Sequence, residues 1–165
     1  MPGDTRLIDA ARHGRAADVA ALLAGGADVN ERTTDGDTPL IVACLLGHTE
    51  VVAKLLAANA DVDQATNDDA TPMSTACGRG HLGVVQLLSF YGASRTFTYT
   101  WGNQDTAENR AIHHGHHNVA AWLRATRLWS TPLHHLEFLT ADRALALLRG
   151  GVDLHAAATP GGPTP

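Results

Sequence analysis

Apolar residues fall along this chain in short helical stripes, separated by polar breaks that contain glycine. Val51, Val52, Leu55 and Leu56 recur at the i, i+3, i+4 spacing, which predicts one buried face of a helix starting near Thr49. Ahead of it, Thr38 is a good N-cap. Pro39 stands at the first helical position, where its missing N–H costs nothing. Gly47 and Gly80 are suited to the left-handed conformation that ends a helix. The tail Ala60-Asp61-Val62 and the polar run Thr33-Thr34-Asp35-Gly36 predict turn-containing connections. The local pattern is therefore helix, turn, helix, loop.

That pattern repeats. Thr38-Pro39-Leu40, Ala43-Cys44 and Gly47-His48 lie 33 residues before Thr71-Pro72-Met73, Ala76-Cys77 and Gly80-His81. The same offset carries Leu22-Leu23 and Ala27-Asp28-Val29 onto Leu55-Leu56 and Ala60-Asp61-Val62. Three units are thus in register from Leu7 to about Ser94. A fourth begins at Thr106, 35 residues after Thr71, with Ala107 where proline is expected. A fifth begins at Thr131-Pro132-Leu133-His134 and closes on Gly151-Val152-Asp153-Leu154. The predicted units are approximately 5–34, 35–67, 68–105, 106–130 and 131–160, forming one domain over 1–160. Thr164-Pro165 then places a truncated or frayed further unit at 161–165. One helix pair cannot bury its own apolar face; stacking on the next pair buries it.

The period and the Thr-Pro-Leu-x-x-Ala signature resemble ankyrin repeats. Thr38-Pro39-Leu40, Ala43, Gly47-His48, Thr71-Pro72-Met73, Ala76, Gly80-His81 and Ala60-Asp61-Val62 carry the resemblance, tightly over 5–94 and loosely over 95–155. It implies an all-α solenoid of stacked antiparallel helix pairs with projecting hairpin fingers, serving as a protein–protein interaction module. It also implies which positions face the groove. On the inner helices these are Arg12-His13, Leu45-Leu46, Gly78-Arg79 and His113-His114; on the fingers, Arg32, Thr34, Asp35, Asp37, Ala65, Asn67, Asp68 and Ala70. Leu45 and Leu46 would make an apolar anchor with a polar rim, or else be partly covered by their neighbours. Asp69 stands where the finger pattern wants glycine. Arg12, Arg15, Asp18 and many alanines make the first unit's outer helix more polar than its equivalents, as an N-terminal cap requires.

Composition narrows the partner. A formal charge of −5 and twelve scattered cations, eleven of them arginine, argue against nucleic acid, which needs a basic stripe. The longest unbroken apolar run, Leu40 to Leu46, falls far short of the ~20 residues that cross a bilayer. No secretory leader is visible at Met1-Pro2-Gly3-Asp4-Thr5-Arg6, and two cysteines make no disulfide framework, so a cytoplasmic or nuclear location is expected. The expected partner is another protein, met by a monomer.

Candidate chemistry is sparse. Cys44 and Cys77 occupy equivalent positions on helices expected ~8–10 Å apart, beyond disulfide reach, and read as buried free thiols. His113-His114-Gly115-His116-His117 is the one metal-like string. Gly115 interrupts the helix that a zinc pair at i and i+4 requires, so no metal is assigned. His116 shares the Gly-His register of His48 and His81, a position the family resemblance makes structural. His113 and His114 would face the groove and lend binding a pH dependence. GxSxG, Walker A, GxGxxG and HExxH are all absent, and no catalytic residue or cofactor is expected. The third finger, Thr96-Phe97-Thr98-Tyr99-Thr100-Trp101-Gly102, alternates threonine with rings. That places Phe97, Tyr99 and Trp101 on one side of an extended segment, either as an interface hot spot or folded onto the fourth unit. Two alternatives to a free-standing binding module are a targeting segment of a longer enzyme or signalling protein, and a His-rich metal-binding protein.

Overall fold

The computed structural model describes residues 5–98 and 104–127. Over these residues the chain forms the helices α1 (Arg6–Arg12), α2 (Ala16–Ala24), α3 (Pro39–Leu46), α4 (Thr49–Ala57), α5 (Pro72–Arg79) and α6 (Leu82–Phe90). A two-stranded hairpin, β1 (Thr96–Thr98) and β2 (Gln104–Thr106), precedes α7 (Ala107–His113) and α8 (His117–Ala125). The odd-numbered helices pack on one another as an inner row, and the even-numbered helices as an outer row. This is the all-α repeat solenoid that the spacing predicts. The fifth unit expected at 131–160 and the fragment 161–165 lie outside the described residues.

The helix starts follow from the threonines. Thr38 Oγ1 accepts from the Ile41 N–H at 3.2 Å. Thr71 and Ser74 form a reciprocal capping box, with N–H to Oγ distances of 2.9 and 3.1 Å. Thr106 Oγ1 caps α7 by accepting from the Asn109 N–H at 3.1 Å, so the helix begins in place although Ala107 has replaced proline. Gly47 (φ 74°) and Gly80 (φ 75°) close α3 and α5 in the left-handed conformation. At the second finger Asp69 takes that conformation itself (φ 61°), as Gly36 does one unit earlier.

One continuous apolar cluster runs from Leu7 to Leu123. Leu40, Met73, Val51, Leu55, Val84 and Leu88 supply its bulk. Between the inner helices Ala10, Ala43, Ala76 and Ala111 recur fully buried, so small side chains set a close approach and few aromatics are needed. At the N-terminal end α2 buries only Val19, whereas α4 buries Val51, Val52, Leu55 and Leu56. Arg12, grouped above with the polar outer helix, instead ends the inner helix α1.

Polar ladders tie each pair to the next. His48 Nε2 donates to the Arg12 carbonyl at 3.1 Å, His81 Nε2 to the Leu45 carbonyl at 3.2 Å, and His116 Nε2 to the Gly78 carbonyl at 3.1 Å. A carbonyl only accepts, so each ring carries its proton on Nε2. The Gly-His histidine therefore satisfies an orphan carbonyl at the end of the preceding inner helix. A second ladder runs through the unit-closing tails. Asn30 Oδ1 accepts from the Asp61 N–H at 2.8 Å, and Asp63 Oδ1 from the Ser94 N–H at 2.8 Å.

Candidate functional site

The C-terminal ends of α1, α3, α5 and α7 align as a row because the helices are of similar length and start in register. The row presents Arg12-His13, Leu45-Leu46, Gly78-Arg79 and His113-His114 in that order. Leu46 is 44% exposed while Leu45 is half-buried, so Leu46 is the apolar group that the row offers. Arg12 and Arg79 are exposed, and neither side chain forms a hydrogen bond or ion pair with the described residues. His13 is exposed but held by its own helix, with Nδ1 2.9 Å from the Asp9 carbonyl and 3.4 Å from its carboxylate. His113 and His114 are exposed and meet edge to face at 5.2 Å.

Gly78 leaves a notch in this row. A Cβ there would lie 3.5 Å from Arg110 Nε and 3.6 Å from the His114 ring, so these two side chains wall it. Desolvation, then the charges of Arg110, His113, His116 and Arg79, pull the His114 pKa below its ordinary value.

The fingers behave differently from the row. Arg32 Nη2 donates to the Ala65 carbonyl at 3.0 Å and lies 3.4 Å from Asn67 Oδ1. Asn67 Nδ2 in turn donates to the Thr34 carbonyl at 2.9 Å. Both residues were expected as contacts. Both brace the first finger against the second, though they remain exposed. Asp35 and Asp68 stand exposed at the fingertips, and Asp37 is half-buried.

The third finger requires a correction. β1 pairs antiparallel with β2, Phe97 opposite Asp105, and Phe97 is buried in the core cluster. Phe97 is therefore no surface contact. Tyr99 and Trp101 lie outside the described residues. Sequence reasoning missed Arg95, whose guanidinium donates to the Thr126 carbonyl at 3.0 Å and to Ser89 Oγ at 3.1 Å. It also lies over the Trp122 ring at 5.3 Å, clamping the base of this finger to α8. The repeat pattern gave no sign of it, since among the described residues no other unit shows such a pair.

Cys44 and Cys77 are free and buried. Burial pushes the Cys77 thiol from 9.0 up to about 12, against smaller lowering effects from Arg95 and Arg110. Burial raises Cys44 as well, with Cys77 a lesser cause. A raised pKa in the folded state gives stability that is complete below about pH 9 and is lost as pH climbs toward about 12. Thiolate absorbance is accordingly expected to stay flat in the folded chain through the lower part of that window and to appear on adding urea. Absorbance rising equally with and without urea would place the thiols in solvent.

α7 ends at His113 and α8 begins at His117, so these two histidines sit on separate helices. Among the described residues no three His, Cys, Asp or Glu side chains converge as metal ligands. Among them too, no helix is long and apolar enough to cross a membrane. Clefts of about 520 and 460 Å³ open beside α1 and α2 and beside α7 and α8, off the row.

A family model described as ankyrin repeats (3 copies) matches residues 7–98, more than half of the chain. No curated protein matches it. Repeats of this kind are generally protein–protein interaction modules.

Proposed function

The chain belongs to the ankyrin-repeat family, and on that premise we propose that it is a non-catalytic display frame that captures another protein on its inner-helix row. The observation that carries this is Leu46. A leucine 44% exposed at the middle of a stiff row, between the unengaged guanidiniums of Arg12 and Arg79, is an apolar anchor inside a polar rim. The frame is fixed before contact by the two polar ladders and the finger braces, so little ordering entropy is lost on docking.

The test is quantitative capture from a lysate of the source cells on the immobilised chain. Leu46→Asp is expected to remove the captured protein. Ala17→Asp, on the exposed face of α2, is expected to leave capture intact. Equal capture by the Leu46→Asp chain would move the binding surface elsewhere.

A further inference from the structure

The proposed row also has a chemistry that specifies what it would hold. Its eight positions carry Arg12, His13, Arg79, His113 and His114 with Leu45, Leu46 and Gly78, and no carboxylate, in a chain whose formal charge is −5. Acidic groups stand instead on the fingertips, at Asp35 and Asp68. The surface is thus split into an arginine-bearing floor with an apolar centre and an acidic outer edge.

We infer that the partner docks an acidic–apolar protein segment here, seating an aliphatic or aromatic side chain on Leu46 and placing a carboxylate against Arg79. This rests on the row being the binding surface. Arg79 and Arg12 have no carboxylate of their own among the described residues, so a partner's acid displaces no existing ion pair. The notch at Gly78 lets such a group approach between Leu46 and His114. Charge complementarity of this type sets specificity and association rate more than raw affinity. A long polyanion fits poorly, because a nucleic-acid strand crossing the row would meet Asp35 and Asp68 at the fingers.

The experiment is selection of a random short-peptide display library on the full chain, followed by titration of the enriched peptides against it, Leu46→Asp and Arg79→Glu. Both sites are exposed, and circular dichroism checks that each variant retains its helices. Enriched peptides are expected to pair Asp or Glu with Leu, Ile, Phe or Trp. Their affinity is expected to fall about tenfold or more with either variant. Exchanging the peptide's acid for lysine should restore binding to Arg79→Glu. Peptides that lose affinity with Leu46→Asp but lack acids, or ignore Arg79→Glu, overturn the inference and leave the row as the binding surface. Peptides indifferent to Leu46→Asp overturn both, and no enrichment overturns the inference. A labelled single-stranded RNA binding in an Arg79-dependent manner, where acidic peptides do not, would give the site to nucleic acid instead.

Discussion

Replacing Leu55 by alanine is expected to destabilise the chain by ~2–5 kcal/mol, read from the shift of the urea unfolding midpoint. Leu55 lies on the inward face of α4 with no exposed surface, and α4 packs against α2, α3 and α6. Truncation there removes the transfer energy of the side chain and leaves a cavity that three neighbouring helices cannot all collapse into. Folded domains keep only about 5–15 kcal/mol in hand, so the loss is a large fraction of the total. In a stack each pair is held mainly by its neighbours. A weakened second pair therefore uncouples the first from the third, and the transition should broaden as well as move. Leu46→Ala is the control, since the same truncation at a 44% exposed leucine removes little buried surface. A Leu55→Ala midpoint within error of the parent, or a Leu46→Ala cost as large as that of Leu55→Ala, would mean that the assigned helix faces are reversed.

How far the sequence foretold this architecture depends on the range of the interaction concerned. α3 and α5 start 33 residues apart at Pro39 and Pro72, and the caps at Thr38 and Thr71 form as their spacing predicts. These are features within a few residues of one another, repeated often enough to be read. Features that join one unit to the next were less legible. The histidine of the Gly-His pair was identified as structural, but its acceptor lies 36 residues back in two cases, at Arg12 and Leu45, and no local pattern names it. Arg32 and Asn67 read as partner contacts because their mutual engagement spans about a repeat length. The third finger fails for another reason. β2 is Gln104–Thr106, a polar triplet with no strand signature, so the pairing that turns Phe97 inward was invisible beforehand. At Asp69 the missing glycine changes no turn, because an aspartate tolerates the left-handed region better than most residues.

Gly47→Ala is the substitution expected to separate backbone strain from the inter-unit histidine ladder. At φ 74° an L residue costs about 1–2 kcal/mol in the left-handed region. The new Cβ would also stand 2.7 Å from Nδ1 and Cε1 of His81, which forces the ring aside. The bond from His81 Nε2 to the Leu45 carbonyl is then strained or lost, removing about 0.5–1.5 kcal/mol more. A total of about 1.5–3.5 kcal/mol follows from these two contributions. Gly26→Ala gives the first contribution alone, since Gly26 has φ 87° and nothing within 4 Å of its added carbon. A double-mutant cycle isolates the second. With His81 already changed to alanine, Gly47→Ala should cost no more than Gly26→Ala, because there is no ring to displace. If the cost at Gly47 is the same with and without His81, the imidazole adds nothing to the coupling between the second and third units. That junction would then be held by its apolar contacts and by the bond from the Ser94 N–H to Asp63 Oδ1.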